Sequence, residues 1–139
     1  FIIQNLSGLV DKNSNILISI NTGFEYDKLG LQYNNVALLW PPLEQAYIDA
    51  DAYIEHYQRI YPQTSEEDLK NRRDNFKKFD FIILKKTEAF IDTEKIKEKT
   101  DKEKWLMSAE LFNRLKNGLV NGYHLYKENK YIYIFTTTP

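Results

Sequence analysis

Apolar side chains recur every three or four positions from residue 43 to residue 61, a spacing that places them on one face of an α-helix. Pro41-Pro42 can occupy the first turn of this helix, and Pro62 ends it. The stripe consists of Leu43, Ala46, Tyr47, Ala50, Tyr53, Ile54, Tyr57, Ile60 and Tyr61. The pattern predicts an amphipathic helix with a tyrosine-rich face.

Two capping boxes predict two further helices. Thr64-Ser65-Glu66-Glu67 begins a helix that we expect to continue to about Lys78. Thr100-Asp101-Lys102-Glu103 begins the other, within a segment (residues 92–104) where ten of thirteen residues are charged. Asn117-Gly118 is a typical helix end. The apolar stripe of this last helix is Trp105, Ala109, Phe112, Leu115 and Leu119.

The first forty residues contain runs typical of β-strands. Phe1 to Val10 and Ile16 to Tyr26 are rich in strand-forming residues and flank a turn at residues 11–15. Val36 to Trp40 is apolar without alternation, so we expect a strand buried on both faces.

Residues 79–91 allow two interpretations. Leu69, Phe76, Ile83 and Phe90 are spaced by seven, which would suit a continuation of the second helix. The aromatic and β-branched run from Phe79 to Leu84 favours a strand instead, with a second strand over residues 87–91. We prefer the strand.

The C-terminal segment predicts a β-hairpin, which Asn121-Gly122 introduces with a turn. A two-residue turn at Glu128-Asn129 would pair Tyr126 with Tyr131 and give each strand two distinct faces. One face would be mainly aliphatic and belong to the core: Tyr123, Leu125, Ile132 and Ile134. The other would be aromatic: His124, Tyr126, Tyr131, Tyr133 and Phe135.

Together these elements predict an α+β fold with an antiparallel or mixed sheet. The sheet would combine N-terminal strands, which we expect to be antiparallel, with the C-terminal hairpin. About three helices would pack mainly on one face, leaving the aromatic hairpin face to water or a ligand. We expect one domain over residues 1–139, excised from a larger protein, with residues 136–139 beginning a linker.

Composition excludes several classes of protein. The 139 residues are 42% hydrophobic and 28% charged, as in an ordinary soluble domain, and no apolar run approaches the length of a membrane span. There is no cysteine, which excludes a disulfide scaffold, a thiolate zinc site and a cysteine nucleophile. The absence of cysteine is consistent with a reducing compartment, so we expect a cytoplasmic, intracellular protein.

Charge is unevenly distributed along the chain. Residues 1–69 contain three basic and ten acidic residues, whereas residues 70–104 contain twelve basic and eight acidic ones. Residues 105–139 add four basic and two acidic residues. Such asymmetry is typical of proteins with an anionic partner, and it also occurs where the two halves neutralise each other within the fold.

The aromatic hairpin face and a basic helix are the candidate ligand-binding surfaces. Bases stack on exposed rings of a sheet, and nearby cations bind phosphates. The same rings could instead serve as a second packing surface, and the cations could face solvent. The candidate ligand-binding residues are Tyr126, Tyr131, Tyr133 and His124 on the hairpin, with Arg72, Arg73, Lys77 and Lys78 on the second helix.

The leading hypothesis is a non-catalytic recognition module that binds nucleic acid. A module that contacts a protein partner, or a neighbouring domain of the same chain, is the alternative. A metal-assisted hydrolase using Asp49, Asp51, Glu55 and His56 is a further one. No metal-ligand spacing, phosphate loop or nucleophile motif is present, so we expect no cofactor and no metal.

Overall fold

The computed structural model describes residues 4, 6, 13–19, 35–38, 42–86 and 92–137. These residues form an α+β fold, as the sequence predicts, with a mixed sheet of five strands and three α-helices whose whole lengths are described. The chain divides into two compact units, one comprising residues 1–43 with 79–139 and the other residues 44–78. Within the described ranges, none of the helices has the length and apolar composition that crossing a membrane requires.

The sheet belongs to the first unit. Its strands are β1 (Asn15–Ile18), β2 (Asn35–Leu38), β3 (Phe81–Lys85), β4 (His124–Glu128) and β5 (Ile132–Thr136), in the spatial order β2-β1-β3-β5-β4. β1 is parallel to β2 and β3, whereas β5 is antiparallel to β3 and β4. The predicted antiparallel pairing of the N-terminal strands is therefore wrong. Residues 19–34, which connect β1 to β2, are numerous enough for the crossover that parallel strands need.

One face of this sheet is an aliphatic core. Ile16, Ile18, Phe81, Ile83, Ile132 and Ile134 form a buried cluster with Leu6. Burying an aliphatic or aromatic side chain contributes about 1.5–3 kcal/mol, so this cluster is a main source of stability. Gln4 and Leu6 are helical, which corrects the strand predicted over Phe1 to Val10 at the two residues of that run that the structure describes.

β2 differs from its prediction. Its residues are at most half-buried, because β2 is an edge strand of the described sheet with β1 on one side only. An apolar run without alternation does not distinguish a central strand from an edge strand whose faces are both partly covered. Leu39 and Trp40, the end of the predicted run, lie outside the described residues.

The ambiguous segment after the second helix is a strand, as preferred. Phe81, Ile82, Ile83 and Leu84 are all buried, because β3 lies between β1 and β5. Residues 87–91, the second predicted strand, lie outside the described ranges. Thr136, assigned from the sequence to the start of a linker, is the buried last residue of β5.

The second face of the sheet is covered by α3 (Lys99–Lys116). The Phe112 ring lies 5.2 Å from the Tyr133 ring and 6.1 Å from the Phe135 ring, centroid to centroid. The helix ends at Asn117, and Gly118 adopts φ of +69°, which confirms the predicted stop. Its buried residues are Ser108, Leu111, Phe112 and Leu115, whereas Leu119 lies beyond the helix and is exposed.

α3 begins two residues earlier than its capping box suggests. The N-cap is Glu98, whose carboxylate accepts hydrogen bonds from the backbone N–H groups of Thr100 and Asp101. These bonds lower the pKa of Glu98, because they favour its ionised form. A carboxylate at a helix N-terminus also interacts favourably with the helix dipole.

The second unit contains two short helices. α1 (Ala50–Ile60) follows a 3-10 turn over Gln45–Tyr47, so the helix predicted from residue 43 starts later, with Asp49 as its cap. α2 (Glu66–Asp74) is capped by Ser65, whose hydroxyl accepts a hydrogen bond from the N–H of Asp68. The predicted extension to Lys78 is wrong. Asn75 ends the helix, and its side-chain amide donates a 2.8 Å hydrogen bond to the Asn71 carbonyl.

Candidate nucleic-acid interface

The C-terminal hairpin forms, but its register differs from the predicted one. Leu125 pairs with Phe135 and Glu128 with Tyr133, with an irregularity between Leu125 and Lys127. The turn lies between β4 and β5, at residues 129–131. Asn129 shapes it, because its Oδ1 accepts hydrogen bonds of 2.8 Å from the N–H groups of both Tyr131 and Ile132. The Asn129 N–H also donates a 3.0 Å hydrogen bond to the Ile132 carbonyl, so the turn is centred on Lys130 and Tyr131, two residues later than predicted.

The predicted aromatic platform therefore does not form. Tyr133 and Phe135 lie beneath α3, with exposed fractions of 4% and 0%. The Tyr133 ring is thus part of the core of the first unit and is not available to stack on a base. Tyr133 and Phe135 are buried because α3 covers this face of the sheet and contributes Phe112 to a cluster of three rings.

Tyr126 and His124 do not form an exposed aromatic surface with Tyr131 either. Tyr126, at the irregularity of β4, packs half-buried against the aliphatic cluster on the opposite face from α3. His124 is exposed, but it pairs with Thr136, at the end of β5 farthest from the turn. A five-residue strand spans about 13 Å between its first and last Cα atoms, so His124 is distant from Tyr131.

Tyr131 is the predicted hairpin residue that presents its ring to solvent. Its exposed fraction is 61%. The Lys130 ammonium lies 5.6 Å from the centroid of this ring, within the range of a cation–π contact. The Tyr131 carbonyl accepts a 2.8 Å hydrogen bond from the N–H of Lys86, which fixes the turn beside the end of β3.

Strand pairing places Lys85 and Lys127 toward the end of the sheet that carries this turn. Lys85 pairs with Ile132, since the end of β3 and the start of β5 are adjacent in an antiparallel pair. Lys127 lies near the end of β4, with its ammonium 5.7 Å from the Tyr126 ring centroid. We call Lys85, Lys86, Lys127, Lys130 and Tyr131 the hairpin patch.

Two ammonium groups lie over the buried Tyr133 ring, and one of them is that of Lys86 in the hairpin patch. The Lys86 Nζ atom is 4.5 Å from the ring centroid, and the Lys116 Nζ atom at the end of α3 is 5.7 Å from it. Lys86 also forms an ion pair of 2.8 Å with Glu128 Oε2. These lysines therefore place positive charge over the buried Tyr133 ring, with Glu128 as an acidic neighbour of Lys86.

The four basic candidates from the sequence belong to the second unit. The Arg72 guanidinium lies 4.0 Å from the Tyr57 centroid and 3.3 Å from Asp68 Oδ2. A side-chain hydrogen bond with Tyr53 is the main cause of its raised pKa. Arg73 forms an ion pair with Asp51. Both arginines thus have anionic partners within their own unit, and Lys77 and Lys78 follow the end of α2.

The acidic candidates have structural contacts in the same unit. Asp49 caps α1 by accepting a hydrogen bond from the N–H of Asp51, and Glu55 lies 3.5 Å from Arg59. His56 is on α1 and half-buried. Among the residues that the structure describes, no group of three or more side chains is arranged to hold a metal ion. Asp49 and Glu55 thus serve as a helix cap and as an ion-pair partner within the second unit.

Sequence reasoning missed Lys85 and Lys86 as site residues. Their only local signal is two adjacent lysines at the end of a predicted strand. Their position beside Tyr131 depends on the pairing of β3 with β5, which joins residues about fifty positions apart in the sequence. Periodicity within a single segment cannot supply that pairing.

No protein-family model, curated protein or solved structure matches the chain. The chemistry of the described residues is therefore the basis for a functional proposal.

Proposed function

We propose that this protein is a non-catalytic recognition module that binds single-stranded nucleic acid at the hairpin patch. The observation behind the proposal is the exposed Tyr131 ring, with the Lys130 ammonium 5.6 Å from its centroid and the backbone of Lys86 hydrogen-bonded to the Tyr131 carbonyl. An exposed ring offers a stacking surface for an unpaired base, and the ammonium groups offer partners for its phosphates.

The hairpin patch is positioned by a well-buried scaffold. β5 is buried along its whole length, and Asn129 fixes the turn that presents Tyr131. Ordering the binding residues before the ligand arrives lowers the entropic cost of association. Arg72 and Arg73 are not assigned to the hairpin patch, because both belong to the second unit.

Fluorescence polarisation with short labelled single- and double-stranded DNA and RNA tests the proposal. We expect the single strands to bind more tightly, because a paired base is not free to stack on Tyr131. Affinity should fall steeply with salt, since each phosphate neutralised by a lysine changes the slope of log K against log salt by about 0.7.

Substitution of the ring identifies the binding surface. Tyr131→Ala should weaken binding by about fivefold to a hundredfold, the range expected for one stacked base. Tyr61→Ala is the matched control, because Tyr61 is also an exposed tyrosine but lies in the second unit. Equal affinities for wild type and Tyr131→Ala, or no binding at low salt, would contradict the proposal.

A protein partner is the second candidate function. Leu106 and Met107 are exposed on α3, with exposed fractions of 47% and 68%, and exposed large apolar side chains are a feature of protein-contact surfaces. Binding that is insensitive to salt and is lost in Met107→Ser, but not in Tyr131→Ala, would favour this alternative.

A further inference from the structure

The Lys86 side chain is held between an anion and a ring. Its ammonium lies 2.8 Å from Glu128 Oε2 and 4.5 Å from the Tyr133 centroid. The pair is partly shielded from solvent, with exposed side-chain fractions of 23% for Lys86 and 47% for Glu128. Glu128 pairs with Tyr133 across β4 and β5, so the backbone register places its carboxylate at this cation.

We infer that Glu128 competes with the phosphate of a bound nucleic acid for Lys86 and so weakens binding at the hairpin patch. This inference depends on the proposed function and assigns a regulatory role to a residue of the same site. A ligand phosphate must displace the carboxylate from Lys86 before it can form its own close ion pair with the ammonium.

The chemistry of the two anions supports the competition. Carboxylate and phosphate oxygens both accept short, charge-assisted hydrogen bonds from an ammonium group. Glu128 also places a negative charge beside Lys86, and this charge repels a phosphate that approaches. Loss of the carboxylate should therefore leave Lys86 available to the ligand while the turn keeps its shape, because Asn129 holds the turn independently.

The expected effect is modest and measurable. A partly exposed ion pair contributes little to stability, so releasing Lys86 from Glu128 should tighten binding by about twofold to fivefold. Glu128→Gln removes the charge and keeps the size of the side chain. Glu103→Gln is the control, because Glu103 is exposed near the start of α3 and its substitution changes the net charge equally.

A double-mutant cycle separates competition from a general charge effect. The dissociation constant for a labelled single-stranded oligonucleotide is measured for wild type, Glu128→Gln, Lys86→Met and the double variant. The inference predicts tighter binding for Glu128→Gln, no comparable change for Glu103→Gln, and a much smaller gain when Lys86 is already methionine.

The outcomes distinguish this inference from the proposed function. If wild type binds and loses affinity in Tyr131→Ala, but Glu128→Gln has no effect, the competition is refuted and the proposed function stands. An equal gain in the Lys86→Met background would also refute it, because the carboxylate would then act without Lys86. If neither wild type nor Glu128→Gln binds any strand at low salt, both proposals fail.

Discussion

The hydroxyl group of Tyr123 donates a 2.7 Å hydrogen bond to the backbone carbonyl of Phe79. Tyr123 directly precedes β4, and Phe79 lies two residues before β3, so the bond connects two elements whose strands are separated by β5. Burial raises the pKa of Tyr123 above its usual value, and the nearby Asp80 carboxylate raises it further. The neutral phenol is thus the form that the folded state stabilises.

The pKa shift of Tyr123 predicts a loss of stability at alkaline pH. Its pKa is higher in the folded state, so its stabilising effect is fully present below about pH 10 and is lost as the pH rises above that value. At pH 7, Tyr123→Phe should lower the free energy of unfolding by about 1 kcal/mol, because the Phe79 carbonyl loses its donor. Above pH 10 the difference between wild type and variant should shrink.

Urea denaturation at several pH values between 7 and 11 measures this difference. Other tyrosines and lysines titrate in both proteins, so the comparison of the two free energies isolates residue 123. A difference that stays constant up to pH 11 would show that Tyr123 ionises equally easily in the folded and unfolded states.

Truncation of two tyrosines of the hairpin should have very different effects on the free energy of unfolding. Tyr133→Ala removes a ring from the core beneath α3 and should lower the free energy of unfolding by about 3–5 kcal/mol. Tyr131→Ala removes a solvent-exposed ring and should change it by less than about 0.5 kcal/mol. Thermal denaturation followed by circular dichroism measures both, and similar losses of stability would contradict the two placements.

Asn129 should control the shape of the turn. Asn129→Ala removes the oxygen that accepts hydrogen bonds from Tyr131 and Ile132, and should destabilise the protein by about 1–2 kcal/mol. Asn129→Asp keeps an acceptor at that position and serves as the control. Hydrogen exchange should show faster exchange at Tyr131 and Ile132 in Asn129→Ala than in Asn129→Asp, and equal rates would argue against this role.

The structure and the sequence pattern assign the N-cap of α3 to different residues, and substitutions distinguish the two assignments. Glu98→Ala should lower the melting temperature, because the N–H groups of Thr100 and Asp101 lose their acceptor. Replacement of the Thr100 side chain by alanine should have a smaller effect, since the structure assigns the cap to Glu98. A larger decrease in melting temperature for the Thr100 variant would show that Thr100 is the N-cap, as the capping box in the sequence predicts.

The Glu98 cap should also depend on pH. Its pKa is lowered in the folded state, so its contribution is present above about pH 4.5 and is lost as the pH falls through the folded value. Melting temperatures of wild type and Glu98→Gln should therefore converge in acid. A gap that is independent of pH would mean that the charge of Glu98 does not matter.

Local chemistry was sufficient to predict several elements. Asn117-Gly118 and Asn121-Gly122 mark real turns, where both glycines have positive φ. The β-branched run near Ile83 forms the central strand β3. These features depend on neighbouring residues, so a single segment contains the information that specifies them.

The candidate site could not be predicted in full, because its geometry depends on contacts between segments that are distant in the sequence. Tyr133 and Tyr131 look equivalent in the sequence, but one is buried because Phe112 packs over it. The register of the hairpin differs from the prediction because the turn is centred on Lys130 and Tyr131 instead of on Glu128 and Asn129. Lys86 reaches the site because β3 pairs with β5. Such long-range pairing depends on the packing of the whole unit.

The irregularity in β4 affects how this edge of the described sheet can meet another molecule. A regular, apolar edge strand is a template to which a further strand can add, as in amyloid growth. Here the pairing shifts between Leu125 and Lys127, and Lys127 and Glu128 follow with opposite charges. Both features oppose the docking of an incoming strand. Strand addition is therefore opposed at this edge of the described sheet, while the Tyr131 ring in the neighbouring turn is exposed.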